Sequence, residues 1–414
     1  MAREGAPSVL AEASIEFEKP TRGSQDSSNS TDRSSWPIMV ALLDNSKLLG
    51  PPETPHPPKG KAAVEITEIQ VDGYEKVARC RDDETGLHAL IAVHDTTLGP
   101  ALGGMRLLPY VSEDEALFDV LRLSKGMTYK SAVAETGLGG GKSVIIGDPA
   151  TLKSPALFRA MGRFIESFGG KYITAEDMNI GIADLNSVHE TTKHVTGLSR
   201  DKGSSGNPSP YTARGCFQGA RATAEEAWGS DDFAGRTVLM QGVGAVGLPF
   251  AKMLQEAGAE LIICDINHDY AVKLGAKHGF EVVPDAGHHK IECDIYAPCA
   301  RGAGLNDETI PELNCKAIAG CANNVLLEER HAGMLKDRGI VYAPDYVINA
   351  GGIINVGVEV SPEGYNEEVA LAKVDRVYDN LKAVYAVARR DNISTHEASG
   401  RLAEERIEAS RATA

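Results

Sequence analysis

The residues with the clearest potential for chemistry are two lysines twelve positions apart. Lys130 closes the run GMTYK at the end of a predicted helix, and Lys142 follows three glycines in GLGGGKSVIIGDP, directly before a predicted strand. Glycines let a substrate approach the backbone closely, and a lysine that is desolvated or close to another cation loses its proton more easily. Such a pair can divide between a fixed charge that holds a substrate carboxylate and a general base. Taken alone, either lysine also fits a solvated surface position.

Asp177 is a third candidate for chemistry. It lies in TAEDMN, just past the carboxyl end of the predicted strand KYITA, which is where α/β sheets bind their ligands. The same position suits the N-cap of a helix, and the sequence leaves both interpretations open. A phosphate-binding P-loop is excluded for the glycine run, because position 136 is Thr136 and the strand follows the lysine instead of preceding it.

A glycine-rich turn indicates a dinucleotide site. The run QGVGAVG places Gly242, Gly244 and Gly247 in GxGxxG spacing directly after the predicted strand TVLMQ, with Val243, Ala245 and Val246 between them. This spacing supplies a tight turn, a close approach to the pyrophosphate and a close contact between helix and strand. Asp265 ends the next strand, LIICD, and its carboxylate can accept both ribose hydroxyls. No basic residue follows at once, so NAD is favoured over NADP; a Rossmann-like domain for another nucleotide is the alternative.

The elements that position these residues alternate between strands and helices. LHALIAV, SVIIG and KYITA read as strands, while Ser112 with Glu115 and Ser154 with Pro155 mark helix starts. A second series of short apolar runs begins near Pro210 and predicts a doubly wound parallel sheet. The runs are TVLMQ (237–241), LIICD (261–265), DIYAP (294–298), KAIAG (316–320) and IVYAP (340–344). The predicted fold class is α/β.

An apolar stripe near the C-terminus predicts a helix packed on the body of the protein, although an oligomer interface would look similar. Its members are Ala370, Val374, Val377, Leu381, Val384 and Ala388. At the other end, polar and proline-rich runs such as TRGSQDSSNSTDRSS predict a flexible extension over residues 1–60. Met39 within that extension is an alternative start.

Composition excludes several classes of protein. The net charge of −16 argues against a nucleic-acid partner, and no apolar run reaches the ~18 residues that a membrane helix needs. The seven cysteines are odd in number and form no CxxC pair, which predicts reduced thiols and, with no secretory signal, a cytoplasmic location. His288 and His289 are adjacent, but no third ligand is in view, so no metal site is predicted.

Eight blocks in order resemble the Glu/Leu/Phe/Val dehydrogenase family, and its leucine-specific members most. They are HDTTLGPALGG, SKGMTYK, GLGGGKSVIIGDP, YITAEDM, GSSGNPSPYTA, GVGAVG, CDIYAPCA and YAPDYVINAGG, within a likeness from about Gly73 to about Ile407. One departure is Gly247, where leucine-specific members often carry alanine. The resemblance implies a substrate-binding and oligomerisation domain over 61–208, an NAD-binding Rossmann domain over 209–355, and C-terminal helices over 356–414 that return to the first domain.

The resemblance also implies a reaction and its residues. Hydride transfer from the α-carbon of an amino acid to NAD gives an imine, which water attacks with the help of Lys142 before ammonia leaves. Lys130 would hold the substrate carboxylate, and Asp177 would assist proton transfer at the amino group. Further implied contacts are Gly103 and Met127 at the carboxylate, Asn349 at substrate and nicotinamide, and Thr212 and Asn324 at the cofactor. A homo-oligomer is implied as well.

Three apolar residues indicate the substrate side chain. Leu102, Ala175 and Val384 are of moderate size and suit a branched aliphatic chain, so leucine, valine and isoleucine are the expected substrates. Phenylalanine or another aromatic amino acid is the alternative. A non-catalytic nucleotide-binding paralogue and a partner-binding scaffold built on the N-terminal extension are the rival classes.

Overall fold

The computed structural model describes residues 64–413, and these contain two six-stranded sheets. The predicted flexible extension and the question of Met39 lie outside the described residues. The strands are β1 (Glu65–Ile69), β2 (Lys76–Asp82), β3 (Leu87–Asp95), β4 (Ala101–Leu108), β5 (Gly139–Ile146), β6 (Tyr172–Ala175), β7 (Thr237–Gln241), β8 (Glu260–Cys264), β9 (Glu281–Val282), β10 (Ile295–Pro298), β11 (Ala317–Ile318) and β12 (Val341–Tyr342).

Thirteen α-helices accompany these strands in the described chain. They are α1 (Glu113–Val133), α2 (Pro149–Leu152), α3 (Pro155–Glu166), α4 (Ile182–His189), α5 (Ser209–Trp228), α6 (Gly247–Glu256), α7 (His268–His278), α8 (His331–Asp337), α9 (Asp345–Ile348), α10 (Gly351–Glu359), α11 (Glu367–Asp375), α12 (Val377–Asp391) and α13 (Thr395–Arg411). None of the helices within residues 64–413 is long and apolar enough to cross a membrane.

The first sheet has the order β1-β2-β3-β5-β4-β6 and is antiparallel from β1 to β5 and parallel from β5 to β6. Strand β5 begins at Gly139, so the prediction that the glycines and Lys142 precede the strand was wrong. The glycines are needed because α1 and β6 pack directly on the strand. A Cβ on Gly140 would overlap the backbone of Thr128, and one on Gly141 would lie 2.7 Å from the ring of Tyr172.

Helix α1 carries Lys130 in its last turn and is held at both ends. The Ser112 hydroxyl accepts a hydrogen bond from the Glu115 N–H at 3.1 Å, as predicted, but the Glu115 carboxylate accepts from Val111 N–H, one residue earlier than a capping box requires. At the C-terminal end, Arg406 of α13 donates to the carbonyls of Ala132 and Val133. The C-terminal helices therefore return to the first part of the chain, as predicted.

The second sheet is parallel throughout, with the order β12-β11-β10-β7-β8-β9. Read from β9, this is the 3-2-1-4-5-6 order of a dinucleotide-binding fold, and its strand order reverses between β7 and β10. All five predicted strands are present, although two shorten to two residues each, and the short β9 was not predicted. The α/β fold class with a Rossmann-type sheet is confirmed.

The C-terminal stripe forms two helices, α11 and α12, instead of one, with Arg376 between them. Its members from Ala370 to Val384 are buried, and Ala388 is half-buried. All seven cysteines are free within the described chain, and their reduced state in the cell stays a prediction. Five of them are buried, which suits their role as small apolar side chains.

Candidate active site

Lys142 and Asp177 form an ion pair beside the carboxyl end of β6. Lys142 lies in β5 with 5% of its surface exposed, and its Nζ donates to Oδ2 of Asp177, which follows β6. Asp177 does not cap a helix, because α4 begins later and its N-cap is Gly181. The structure therefore favours the chemical interpretation of Asp177 over the capping one.

Arg106 also contacts Asp177, and the sequence interpretation missed it. It lies in β4, with Nη2 3.6 Å from Oδ1 of Asp177 and Nη1 3.0 Å from a carboxylate oxygen of Asp119. A single arginine within the otherwise apolar run ALGGMRLL is the feature that could have revealed it. Arg106 holds Asp177 by electrostatic attraction from the side opposite to Lys142.

The environment of the ion pair changes the pKa of both partners. Burial lowers the pKa of Lys142, and the attraction of Asp177 only partly opposes this change. Burial alone would raise the pKa of Asp177, but Lys142 and Arg106 together hold it below its ordinary value. A carboxylate that stays ionised next to a lysine that releases its proton readily is an arrangement suited to proton transfer.

Lys130 lies close to this pair and contacts the second half of the chain. Its Nζ donates to Oδ1 of Asn349 at 2.6 Å, across 219 positions of sequence. Burial lowers the pKa of Lys130 to about 8, while the neighbouring Asp345 opposes the change. The charges of Lys142 and Asp177 also act on Lys130. The structure therefore brings Lys130, Lys142, Asp177 and Asn349 together in one site. Met127, one turn earlier on α1, is half-buried.

Asn349 connects the lysines to the loop after β11. Its Nδ2 donates to Oδ1 of Asn323 at 2.7 Å and lies 3.3 Å from the Cys321 carbonyl oxygen. Asn324, the predicted cofactor contact, is exposed in a left-handed turn with φ +52°, and its carbonyl accepts from the Ala303 N–H. Asn349 thus contacts Asn323 and not the neighbouring Asn324. The sequence interpretation singled out Asn324 and missed Asn323.

Two glycines of β4 allow the strand to approach its neighbours. A Cβ on Gly103 would overlap the carbonyl oxygen of Gly141, and the Tyr172 hydroxyl donates to the Gly103 carbonyl at 2.7 Å. A Cβ on Gly104 would lie 2.7 Å from Cβ of Asp177. Gly104 therefore lets Asp177 lie against the sheet, while Gly103 lets β4 lie against the backbone of Gly141 and Lys142 in β5.

Leu102, one position before Gly103, belongs to an apolar cluster that we call the aliphatic cluster. Its buried members are Leu102, Leu138, Ile173 and Val356, and the half-buried Ile353 and Val360 pack against them. Ile353 and Val356 lie on α10, shortly after Asn349, and were not predicted. The nearly continuous apolar run GGIINVGVE of that helix is the feature that could have revealed them.

The prediction for Val384 was wrong. Val384 is fully buried on α12, in the large core cluster formed where α12 packs against α5 and α13, and it is not a member of the aliphatic cluster, of which Ile353 also packs against that core. Its helical spacing from Leu381 points it into the interhelical core, so its burial reflects packing. Ala175 is half-buried at the end of β6, paired with Gly104 and thus close to Asp177.

The glycine turn after β7 has the geometry of a dinucleotide loop. Gly242 has φ +94°, and a Cβ on it would lie 2.5 Å from Cβ of Ala300; a Cβ on Gly247 would overlap the Gly242 carbonyl oxygen. By contrast, apart from its two chain neighbours, no described residue has an atom within 4 Å of the Cβ position of Gly244. Gly244 and Ala245 are both exposed. The open side at Gly244 and the start of α6 at Gly247 fit a pyrophosphate.

Asp265 and the loop support each other. The Asp265 carboxylate accepts hydrogen bonds from the N–H of Val243 at 3.1 Å and of Asn267 at 2.9 Å, while Val246 is half-buried beside α6. Thr212 lies in the first turn of α5, where its hydroxyl donates to the Pro208 carbonyl at 3.1 Å. The Asp265 carboxylate at the end of β8 suits the hydroxyls of an adenosine ribose, whereas Thr212 lies beside Gly352 of α10.

A dinucleotide loop at the reversal of a parallel sheet, together with a lysine–aspartate pair and a second lysine, suits a dehydrogenase, and comparison with known proteins shows that it is an amino-acid dehydrogenase acting on a CH–NH2 group. Two family models match the chain: "Glu/Leu/Phe/Val dehydrogenase, dimerisation domain" over residues 74–194 and "Glutamate/Leucine/Phenylalanine/Valine dehydrogenase" over residues 265–413. The chain belongs to this Glu/Leu/Phe/Val dehydrogenase family, and it is of the leucine/phenylalanine type.

Individual relatives agree on the class but differ in substrate. The leucine dehydrogenase of Geobacillus stearothermophilus is 53% identical over 82% of this chain and 92% of that protein. The phenylalanine dehydrogenase of Thermoactinomyces intermedius is 48% identical over 81% of this chain and 92% of that protein. The crystal structure of L-tryptophan dehydrogenase from Nostoc punctiforme has a TM-score of 0.75 and 43% identity, covering 82% of this chain and 97% of that one.

Proposed function

We propose that the protein catalyses the NAD-dependent, reversible oxidative deamination of a branched aliphatic L-amino acid, leucine together with valine and isoleucine, to its 2-oxo acid and ammonia. The observation that carries the proposal is the aliphatic cluster beside the Lys130, Lys142 and Asp177 site. Leu102 of the cluster lies two residues before Gly104, which packs against Asp177, and Ile353 follows Asn349 by one helical turn. The same site therefore offers charge for the amino-acid head and apolar surface for its side chain.

In this proposal each charged residue has a separate task. Lys130 in its protonated form binds the substrate carboxylate, whose negative charge raises the pKa of the lysine again on binding. Lys142, whose pKa burial lowers, acts as the general base that deprotonates the attacking water. Asp177, ionised in the free site, accepts a proton from the substrate amino group and then returns it. Asn349, already hydrogen-bonded to Lys130, orients the substrate.

The cofactor would be held by Gly242, Gly244, Gly247 and Asp265. When bound, NAD accepts the hydride from the substrate α-carbon. The chain's own contribution is orientation: the backbone N–H groups at the start of α6 hold the pyrophosphate, and the Asp265 carboxylate holds the ribose hydroxyls. Asp265 also disfavours NADP, because its negative charge repels a 2′-phosphate.

The aliphatic cluster favours uncharged side chains over glutamate. All six of its members are hydrocarbon side chains, and a substrate carboxylate buried among them would lose its hydration with no compensating cation. β-Branched Ile173, Ile353 and Val356 are stiff, which favours a compact branched chain over a large ring. Aromatic substrates are the second candidate, and the phenylalanine- and tryptophan-specific relatives support it.

The direct test is a steady-state comparison of L-Leu, L-Val, L-Ile, L-Phe, L-Trp and L-Glu with NAD and with NADP. We expect the highest kcat/KM for a branched aliphatic substrate with NAD and at least a tenfold lower value for L-Phe. A higher kcat/KM for L-Phe or L-Trp would establish the aromatic alternative. Nucleotide binding without turnover of any of the six would point to a non-catalytic paralogue.

Val356→Ala tests whether the aliphatic cluster selects the substrate. Removing two methyl groups from its wall enlarges the space for a ring, and one methylene in such a pocket is worth about 1–3 kcal/mol. We expect the ratio of kcat/KM for L-Phe to that for L-Leu to rise about tenfold or more. The measurement is the pair of kcat/KM values for each variant.

Val384→Ala is the matched control for this prediction. It makes the same chemical change at the residue that the sequence pointed to and the structure places in the interhelical core. We expect a lower Tm, because a cavity forms in the core, and an unchanged substrate ratio. A ratio that changes in Val384→Ala and not in Val356→Ala would contradict the pocket.

We also propose a homo-oligomer in the cytoplasm. The first sheet ends at β1, whose Ile66 is 45% exposed, and the family model that matches the following residues, 74–194, is that of a dimerisation domain. The seven free thiols suit a reducing compartment. The partners are then the amino acid, ammonia and further copies of the chain. The predicted domain limits, 61–208, 209–355 and 356–414, are also part of this proposal.

A further inference from the structure

Arg106 is a second cation at the Lys142–Asp177 ion pair, and the proposed reaction gives it no task. It lies in β4 with 16% of its side chain exposed, and its guanidinium lies between two carboxylates. Its Nη2 is 3.6 Å from Oδ1 of Asp177, and its Nη1 is 3.0 Å from Oδ2 of Asp119 on α1. Lys142 donates to the other oxygen of Asp177, Oδ2. Asp177 therefore has one cation on each of its carboxylate oxygens.

Asp119 fixes Arg106 in this position without cancelling its charge. Oδ2 of Asp119 also accepts a hydrogen bond from the Tyr110 hydroxyl at 2.8 Å, and Oδ1 pairs with Arg122 at 3.1 Å. The negative charge of Asp119 is thus shared between two arginines. Part of the positive charge of Arg106 is left to act on Asp177.

The two cations at Asp177 differ in their chemistry. A guanidinium keeps its charge at every pH at which proteins are folded, whereas a lysine can lose its proton. In the proposed reaction Lys142 accepts a proton only in its neutral form, so Asp177 has then lost one of its two cations. A buried carboxylate without a cation tends to take up a proton itself, because burial favours the neutral form. Arg106 is the cation that stays at Asp177 in that state.

The charges nearest to the two lysines of the site have opposite signs. Burial lowers the pKa of Lys142, and repulsion by Arg106 lowers it further, against the stronger attraction of Asp177. Burial also lowers the pKa of Lys130, but a carboxylate, that of Asp345, opposes the change. The other ionisable groups that act on the ion pair or respond to it are Lys130 and Asp119 of α1 and Tyr172 of β6. Arg106 thus favours a neutral Lys142, whereas Asp345 favours a charged Lys130.

We propose that Arg106 is a positioning residue of the proposed reaction, whose permanent charge keeps the Asp177 carboxylate ionised and in place while Lys142 is neutral. The inference rests on the proposed function, in which both residues must accept protons. Without Arg106, the pair would keep one proton between them up to a higher pH. Arg106 itself transfers no proton and acts only through Asp177 and Lys142.

Arg106→Gln tests this role, because glutamine can still donate to a carboxylate but carries no charge. Without the guanidinium the pKa of Asp177 and that of Lys142 both rise, so the form with two free proton acceptors appears at higher pH. At saturating amino acid, we expect kcat about tenfold or more below wild type in the acid part of the pH profile, since a charge at this distance changes a protonation equilibrium by roughly that factor. The two profiles should converge as the pH rises. Arg106→Lys, which keeps the charge, should restore most of the wild-type profile.

Asp119→Asn should move the profile in the opposite direction. Asparagine can still accept hydrogen bonds from Arg106 and Tyr110, but it has no charge to offset that of Arg106 or to attract Lys142. We therefore expect the midpoint of the kcat profile at lower pH than in wild type. Arg122→Gln is the matched control, because it removes an arginine from the same Asp119 at a side chain that is 52% exposed. Its profile should stay within about twofold of wild type at every pH, since solvent screens an exposed charge.

Chemical labelling measures the protonation of Lys142 without any turnover. Only neutral amines react with acetic anhydride, so the acetylation of Lys142 as a function of pH, followed by mass spectrometry, gives its midpoint in the full chain. We expect this midpoint to be higher than in wild type in Arg106→Gln and lower in Asp119→Asn. The midpoint of the exposed Lys171 should be the same in all three proteins.

These outcomes separate the role of Arg106 from the proposed function. A wild-type protein that deaminates no amino acid, with the Lys142 midpoints in the expected order, would contradict the proposed function alone. Equal Lys142 midpoints in wild type and Arg106→Gln would overturn the role of Arg106, as would a kcat lowered by the same factor at every pH. If the Tm shows that Arg106→Gln does not fold, the direction of the Lys142 midpoint in Asp119→Asn decides.

Discussion

Lys142→Ala is expected to lower kcat for amino-acid deamination by about 10²–10⁴-fold, the usual contribution of a general base, while NAD binding is unchanged. The reason is the position of Lys142: it is buried in β5, paired with Asp177, and separated in the chain from the nucleotide loop. Because burial lowers its pKa, the neutral base forms as the pH rises, so kcat for deamination, at saturating substrate that keeps Lys130 protonated, should increase with pH in wild type. That increase should be absent in the variant.

Three measurements separate a loss of chemistry from a loss of structure. NAD affinity is measured by calorimetry, folding by Tm, and turnover over a range of pH. Lys171→Ala is the matched control, because Lys171 is an exposed lysine directly before β6. We expect it to keep wild-type kcat. Undiminished turnover in Lys142→Ala, or an equal loss of NAD binding, would contradict the assignment of Lys142 as the base.

Lys130→Met is expected to raise KM for L-leucine by about 10- to 200-fold, with a smaller effect on kcat. A hydrogen bond to a charged group is worth about 1.5–3 kcal/mol, and methionine keeps the length and apolar part of the side chain. The loss should be the same for the 2-oxo acid in the reverse direction, because both substrates carry the carboxylate. The measurements are kcat and KM in both directions.

A substrate analogue without a carboxylate shows whether Lys130 acts on that group. Isopentylamine, as a competitive inhibitor, should have the same Ki for wild type and Lys130→Met. Lys125→Met is the control: Lys125 lies on the same helix but is exposed, with Nζ 5.6 Å from the Tyr129 ring centre. A change of Ki in Lys130→Met as large as the change of KM would show that the variant disturbs the site in general.

The parts of the site that depend on local backbone geometry could be predicted from the sequence. Gly242 needs a positive φ and Gly247 has no space for a Cβ, so the spacing of glycines after a strand is enough to identify the turn. Asp265 follows from its position at the end of the next strand. The start of α1 at Ser112 was predicted for the same reason, since capping depends on residues three positions apart.

Positions that depend on packing were predicted less well. Val384 and Val356 are both valines on helices, and only the direction in which each helix presents its face decides which one joins Leu102. The glycines before Lys142 looked like a loop because glycine is common in loops. The structure places them in β5, where the closeness of α1 and Tyr172 requires residues without a side chain.

By itself, the sequence determined the α/β fold, the dinucleotide turn and the types of the reacting residues, because strand and helix periodicity and turn geometry are encoded over short distances. Only the tertiary structure decided which residues meet: Lys130 with Asn349 and Arg106 with Asp177. These contacts join separate elements, so they depend on how the strands are ordered and the helices packed. The same packing buries Lys142 and lowers its pKa, and so makes an ordinary lysine suitable as a base.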